Sequence, residues 1–383
     1  MPPSTLRWGI ISTGDIATTF CKDLLVDPST RNATDIFHKI TAIGSRSLSS
    51  AKTFLHDLEE STDRFKWGVE NGSLEGCHTL GSYEEVYNHP DVDVVYVATP
   101  HTLHHRNCKD ALMAGKNVLC EKPFTLDAEE LEDLMAIAQA KGLFLMEAVW
   151  TRFQPITFAI QDILFSGQLG KFKRLTVDNS LDYKLDERGE SHRMLDPALG
   201  GGALLDLGPY PLVWAMLVLH HHPDNVTRSR PKVLSSYQTI YQRTGVDSAS
   251  RMLLEWEGVG QAALTADLTC HGYMDGVAVI TCEEGDIVVA APPSKPQTFH
   301  IVPHGPDSSR QGFIRTKTTH HHPLSPGHGM AYEADEVARC IRGGKKESGR
   351  MPLDESLVVM RVLDEVRRSG GTKTKDLRGT AGK

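Results

Sequence analysis

One lysine is the side chain best placed by its neighbours to do chemistry. Lys122 stands near the end of Asn117-Val-Leu-Cys-Glu-Lys-Pro-Phe124. Val118 to Cys120 read as a buried parallel strand, with Glu121, Lys122 and Pro123 at its carboxyl end, where open α/β sheets bind ligands. Proline has a fixed φ and no N–H, so the strand stops and Lys122 is held at the rim. An ammonium in such a crevice can stabilise a developing oxyanion or ease the ionisation of a neighbouring acid. Tyr210 belongs to Gly200-Gly-Gly-Ala-Leu-Leu-Asp-Leu-Gly-Pro-Tyr-Pro211. Pro209 and Pro211 suit a first helical turn, which predicts a helix from about Gly208. Asp206, four residues before Tyr210, is expected either to share its side or to cap that helix while Tyr210 packs in the core. The three glycines allow close approach of backbone to a ligand or to another element.

Residues able to hold a dinucleotide precede Lys122. A strand over 6–11 leads into Ser12-Thr-Gly-Asp-Ile-Ala17 and a helical pattern to Leu25. This is G-x-G-x-x-A with Ser12 for the first glycine, in the strand–turn–helix setting where a helix N-terminus receives a pyrophosphate. Ser12, Thr13, Gly14, Asp15 and Ile16 are the candidate cradle. The second strand, 38–44, ends in Ser45-Arg46-Ser47 and lacks the acidic residue that accepts from a ribose 2′-hydroxyl in NAD sites. Arg46 offers a planar fork to a 2′-phosphate and the serines add donors, so NADP is the expected cofactor. The apolar strand 92–98 ends in Thr99-Pro-His-Thr-Leu-His-His105, which sets Thr99, Pro100, His101 and His104 on one rim with Glu121 and Lys122.

The elements that must position these residues alternate between strand and helix up to Ala148. That pattern predicts a doubly wound parallel sheet. A short helix is expected over 82–87, and Asp127 with Glu130 three residues on should open another. Residues 59–78, polar and without periodicity, read as a loop insertion. Beyond a helix at 154–166 and a strand at 172–180, residues 181–199 show no pattern, and a structureless stretch of this length is more often functional than not. Strand-like runs at 232–241, 247–256, 260–270, 276–281, 285–290 and 297–302 predict a large, open, mainly antiparallel sheet. Two helices, 332–342 and 354–368, should close the fold, with the last fifteen residues frayed. His220-His-His222 and His320-His-His322 have no carboxylate or cysteine at ligand spacing, so they read as solvated loop histidines rather than a metal site.

At 383 residues two domains are expected. A formal charge of −8 with scattered basic residues speaks against an extended nucleic-acid surface. Seven cysteines without a C-x-x-C pair suit a reducing compartment. With no signal-peptide core and no apolar run long enough for a bilayer, the cytoplasm is the expected location and no membrane partner is foreseen.

With these pieces together the chain resembles the glucose-fructose oxidoreductase/inositol dehydrogenase/rhizopine catabolism (Gfo/Idh/MocA) family. Gly9-Ile-Ile-Ser-Thr-Gly-Asp-Ile-Ala17, Tyr96-Val-Ala-Thr-Pro-His-Thr-Leu-His104, Ala114-Gly-Lys-Asn-Val-Leu-Cys-Glu-Lys-Pro123 and Gly201-Gly-Ala-Leu-Leu-Asp206 carry the likeness. Met146-Glu-Ala-Val-Trp-Thr-Arg152, Ser191-His-Arg-Met194 and Gly327-His-Gly-Met330 are similar to its dimeric dihydrodiol dehydrogenase branch, and there to fungal NADP-dependent D-xylose 1-dehydrogenases. The resemblance implies an N-terminal Rossmann domain over 1–148 and a C-terminal α+β domain over 149–383, whose open sheet makes a homodimer. It implies Lys122 and Tyr210 as catalytic residues, and Trp150, Arg152, Phe153, His192, Arg193 and Asp206 as substrate walls. The implied activity is NADP-dependent oxidation of the anomeric hydroxyl of an aldose. A dihydrodiol or another hydroxy-metabolite is the alternative substrate. A catalytically silent cofactor-binding regulator is the remaining alternative, and the retention of both Lys122 and Tyr210 argues against it.

Overall fold

A computed structural model of the chain describes residues 3–61, 65–304, 316–324 and 326–370. Its contacts divide into two units, Met1–Phe153 with Leu324–Leu357, and Gln154–Pro323 with Val358–Lys383. In the first, β1 (Ser4–Ile11), β2 (Ile36–Gly44), β3 (His78–Leu80), β4 (Val94–Val97), β5 (Asn117–Glu121) and β6 (Leu145–Ala148) form one sheet. All its pairs are parallel, in the order β3-β2-β1-β4-β5-β6. The order reverses between β1 and β4, and ligands of such sheets sit beyond the carboxyl ends of the strands at that switch. Every residue of β4, and all of β5 but Asn117, is buried, which explains their unbroken apolar sequence.

Helices α1 (Asp15–Leu24), α2 (Leu48–Glu59), α3 (Lys66–Glu70), α4 (Tyr83–Tyr87), α5 (His104–Met113) and α6 (Ala128–Lys141) link these strands. Asp127 caps α6 by accepting from the Glu130 N–H at 3.0 Å, as the sequence predicts. Glu130 in return accepts from the Leu126 N–H at 3.0 Å. The expected loop at 59–78 instead contains α3, whose Gly68 N–H donates to the Leu25 carbonyl at 2.9 Å. A five-residue helix is too short to show periodicity; residues 62–64 of that loop lie outside the described ones.

The second unit opens with α7 (Pro155–Phe165) and β7 (Phe172–Ser180), followed by short α8 (Ala203–Asp206) and α9 (Pro209–Ala215). Strands β8 (Lys232–Ile240), β9 (Asp247–Trp256), β10 (Gly260–Asp267), β11 (Ala278–Cys282), β12 (Gly285–Val289), β13 (Thr298–Pro303) and β14 (Thr318–His321) then build a sheet with β7. Its order is β14-β13-β12-β11-β7-β10-β9-β8, antiparallel throughout except for β7 beside β10. Between β7 and α8 there are only the 3-10 turns Leu185–Glu187 and Pro197–Leu199.

Both histidine triplets depart from the expected solvated loop. His320 and His321 lie in edge strand β14, and the His320 ring stacks on Phe299 with centroids 4.5 Å apart. Three identical residues in a row show no alternation, which hides the strand. His220 ends the π-helical turn Met216–His220 and is buried, because that turn closes a long apolar helical stretch. That stretch, Pro197–His220, has the length and composition of a membrane span, contrary to the sequence reading. Yet 94% of its apolar window is buried inside the protein, as in a core helix.

The last two helices are α10 (Ala331–Arg342) and α11 (Leu353–Gly370). The segment carrying α10 packs back on the first unit through charge. Asp23 of α1 accepts from the His328 N–H at 2.9 Å and the Met330 N–H at 2.7 Å. Arg31 grips Asp335 at 2.7 and 2.9 Å, and His38 Nε2 lies 2.9 Å from the same carboxylate. The expected frayed tail, from Gly371 on, lies outside the described residues.

Candidate functional site

The β1–α1 turn has the shape that the degraded glycine fingerprint implies. Ser12 stands in the glycine position with φ of 91°, its N–H donating to the Gly44 carbonyl at 3.1 Å. Gly14 is the N-cap of α1 and no side chain caps that end. The first-turn N–H groups are therefore not taken up by a side-chain cap, as a pyrophosphate site requires. At the end of β2, Ser45 is buried, Arg46 is exposed, and Ser47 caps α2 through the Ser50 N–H at 3.4 Å. These groups fit a 2′-phosphorylated dinucleotide.

The rims of β4 and β5 are joined by one buried ring. His104 Nε2 lies 2.8 Å from the Thr99 carbonyl and Nδ1 lies 2.8 Å from the Pro123 carbonyl. Burial pushes its pKa down, against the pull of the two carbonyls. The neutral ring can donate to only one of them. Thr99 Oγ1 in turn accepts from Asn107 at 2.9 Å. His101 and Pro100 begin the short turn that leads into α5.

Lys122 follows, partly exposed, and its bond to Pro123 is cis. Two buried carboxyls lie close to its charge. Glu121 accepts from Tyr96 Oη at 2.5 Å, and burial pushes its pKa up to about 7 despite that bond and the nearby lysine. Glu147, at the end of β6, is likewise pushed up by burial and accepts from the Phe124 N–H at 3.1 Å. Glu333 of α10, wholly buried, is raised further by burial and by the charge of Glu121. None of Tyr96, Glu147 and Glu333 stands out in the sequence: Tyr96 and Glu147 are single polar residues inside apolar runs, and Glu333 is one of three acidic residues within four positions.

Trp150, Arg152 and Phe153 form a buried 3-10 turn after β6. The expectation that Arg152 lines a substrate pocket needs correcting. Its guanidinium is fully buried and donates to Glu355 at 2.6 Å and to the Arg350 carbonyl at 2.9 Å. A buried guanidinium is stable only when paired, and this one has its carboxylate within the protein.

In the second unit Gly208 is the N-cap of α9, so Tyr210 sits in its first turn, half-buried. Asp206 does not cap α9; it ends α8 and accepts from Arg193 Nη1 at 2.8 Å. His192 lies next to that pair, with Arg188 Nη1 3.1 Å from its Nε2. Burial and the charges of Arg188 and Arg193 push the His192 pKa down, so the ring is neutral at pH 7. The glycine run packs on protein. Gly202 has φ of 112°, and a Cβ there would stand 2.3 Å from Asp247 Oδ1. Asp247 is buried, which raises its pKa to about 6, and it accepts from the Leu204 N–H at 2.7 Å. Among the described residues no group of three or more histidine, cysteine or acidic side chains could hold a metal ion.

The first unit thus lines the carboxyl ends of β1, β2, β4 and β5 with Ser12–Ile16, Ser45–Ser47, Thr99–His104 and Glu121–Lys122, and the second joins His192, Arg193 and Asp206. Residues 6–149 match the model of an oxidoreductase family with an NAD-binding Rossmann fold, and 158–288 match the Gfo/Idh/MocA C-terminal domain. The chain belongs to the Gfo/Idh/MocA oxidoreductase family. It is 37% identical to a D-xylose 1-dehydrogenase (NADP(+)) of Hypocrea jecorina, over 98% of this chain and 94% of that one. It is 32% identical to the human trans-1,2-dihydrobenzene-1,2-diol dehydrogenase, over 96% and 97%. Among solved structures it shares its fold with a 3-ketoreductase from Actinomadura kijaniata in complex with NADP and TDP-benzene. The TM-score is 0.75 at 24% identity, covering 96% of this chain and 98% of the other. Like other Gfo/Idh/MocA proteins it is an oxidoreductase acting on CH–OH groups, built from a parallel dinucleotide-binding sheet and a large, mainly antiparallel one.

Proposed function

We propose that this protein is an NADP-dependent sugar dehydrogenase that oxidises the anomeric hydroxyl of D-xylose to the lactone. The observation that carries the reading is the likeness, across nearly the whole chain, to an enzyme named for that substrate and cofactor. The chemistry of the residues agrees with it. Arg46 is exposed at the end of β2 with no carboxylate beside it, which favours a 2′-phosphate. When bound, the nicotinamide supplies a hydride acceptor. Tyr210 takes the proton of the C1 hydroxyl as its C–H bond breaks, with Lys122 as the second catalytic residue. His192, Arg193 and Asp206 are the polar partners for the other hydroxyls, with Trp150 and Phe153 as apolar walls. Leaving a desolvated hydroxyl or its partner unpaired costs about 1–3 kcal/mol, so a pyranose suits these groups better than an aromatic dihydrodiol.

The protein acts in the cytoplasm as a homodimer formed through the open face of the second sheet. Residues of β11 and β12 alternate between buried and half-buried, and Leu234 and Tyr237 of β8 are exposed. Light scattering on the purified protein reads that assembly. The substrate is tested by following NADP⁺ reduction with a panel of aldoses and with benzene dihydrodiol. D-Xylose is expected to show the higher kcat/KM, and glucose less than xylose if its hydroxymethyl group meets the 191–194 loop. A second reading, dihydrodiol oxidation, rests on the 32% identical relative. Preference for the dihydrodiol, or no activity with any aldose, would overturn the xylose assignment and leave the reaction class standing.

A further inference from the structure

The backbone around Lys122 is tied down at three consecutive residues by buried side chains. The Lys122 N–H lies 3.3 Å from Glu121 Oε2, the Pro123 carbonyl faces His104 Nδ1 at 2.8 Å, and the Phe124 N–H donates to Glu147 Oε1 at 3.1 Å. Glu121 is 6% exposed, Glu147 2% and His104 0%. The first tie is a residue's own neighbour and adds little constraint. The third spans 23 residues and crosses from β5 to β6, whose register sets Glu147 beside Cys120. Phe124 is itself fully buried, so its N–H has no access to water, and leaving a buried N–H without a partner is unfavourable. The turn would move to satisfy it, and Lys122, two residues earlier, would move too.

We propose that Glu147 is a positioning residue for Lys122, acting through the Phe124 N–H to hold the 121–124 turn. The carboxyl sits at the end of a strand whose other residues are all buried and apolar, Leu145, Met146 and Ala148. Burying a carboxyl there is unfavourable unless its oxygens are used. The groups around it are the Ser356 hydroxyl of α11, Glu121 and Lys122 at the end of β5, Arg152 in the turn after β6, and the buried Cys120 thiol opposite. Of these, Lys122 gains most from a fixed carboxyl, because a shift of about 1 Å in a reacting group can cost on the order of a hundredfold in rate.

The role rests on the reading that Lys122 serves the reaction, and the test separates the two. Glu147→Gln keeps an acceptor for the Phe124 N–H at the same length, whereas Glu147→Met keeps the volume and removes it. In the full-length protein, Glu147→Gln should hold kcat within about threefold of wild type. Glu147→Met should lower kcat by about thirtyfold or more, with KM for NADP and for the sugar little changed. Amide exchange at Phe124, read by mass spectrometry, should quicken by about tenfold in the Met variant alone. Should Glu147→Met fail to fold, Glu147→Asp, one methylene short of the N–H, takes its place with the same expected direction. Loss of activity in Gln equal to that in Met, or a Met variant that keeps kcat, would overturn the role. If wild type oxidises neither sugars nor dihydrodiols, the functional reading fails. The tie is then judged on exchange alone, and unaltered exchange at Phe124 in the Met variant sinks it.

Discussion

At the scale of single residues, Arg46 separates the two nicotinamide cofactors. Arg46→Ala should weaken NADP by about 2 kcal/mol, the size of a lost charge-assisted contact, and leave NAD nearly unchanged. Equal losses for both, in a binding titration, would show that the 2′-phosphate is held elsewhere. Tyr210→Phe keeps the shape and deletes the proton acceptor, so cofactor binding should survive while kcat falls more than about tenfold, roughly 1.4 kcal/mol. A smaller loss would move the base to Asp206 or His192. Ser12→Gly removes a Cβ from a left-handed position and should stabilise the protein by up to about 1 kcal/mol in urea unfolding. Lys122, Arg46 and the β1–α1 turn are legible in the sequence because each is defined by what precedes and follows it. Arg152 is misread for the converse reason: an arginine leaving a strand looks the same whether it meets a substrate or Glu355, 203 residues on.

At the scale of elements, the parallel strands other than the three-residue β3, and the capped helices, are read correctly because their signals are local. Apolar runs with turn residues at the ends suffice for β1, β4 and β5, and Asp127 announces α6. Helix α2 lacks such prominence: it opens on a lone Ser47 cap inside a serine-rich stretch. What packs against what is not local at all. The loop before α10 is held by Asp23, whose carboxylate serves the backbone N–H groups of both His328 and Met330 and also faces His328 Nδ1 at 3.1 Å. Asp23→Ala would strand a buried donor at Met330 and a part-buried one at His328 and should cost on the order of 3 kcal/mol. Thermal unfolding checks this, and a loss below about 1 kcal/mol would mean that the loop finds other acceptors.

At the scale of the whole molecule, buried carboxyls govern how stability varies with pH. Burial pushes Glu121 up to about 7 and Glu333 further in the same direction. Unfolding returns both to the ordinary glutamate value of about 4.3, so near neutrality the folded state binds protons that the unfolded chain has released. Stability must then fall as pH rises. Buried His38 and His104, whose pKa values are lowered, act in the opposite sense, but only below the ordinary histidine value of about 6.5. Between pH 6.5 and 8 the cofactor-free protein should therefore lose about 1 kcal/mol or more, and Glu121→Gln should lessen the slope. A rise in stability over that window would contradict the assignment. The interleaving of the two units has a consequence for synthesis. A ribosome that has finished Phe153 has synthesised every strand of the first sheet, yet Asp23, Arg31 and Arg152 still lack the partners that lie between Leu324 and Leu357. At about 5–20 residues per second the nascent sheet waits on the order of 10–40 seconds for them.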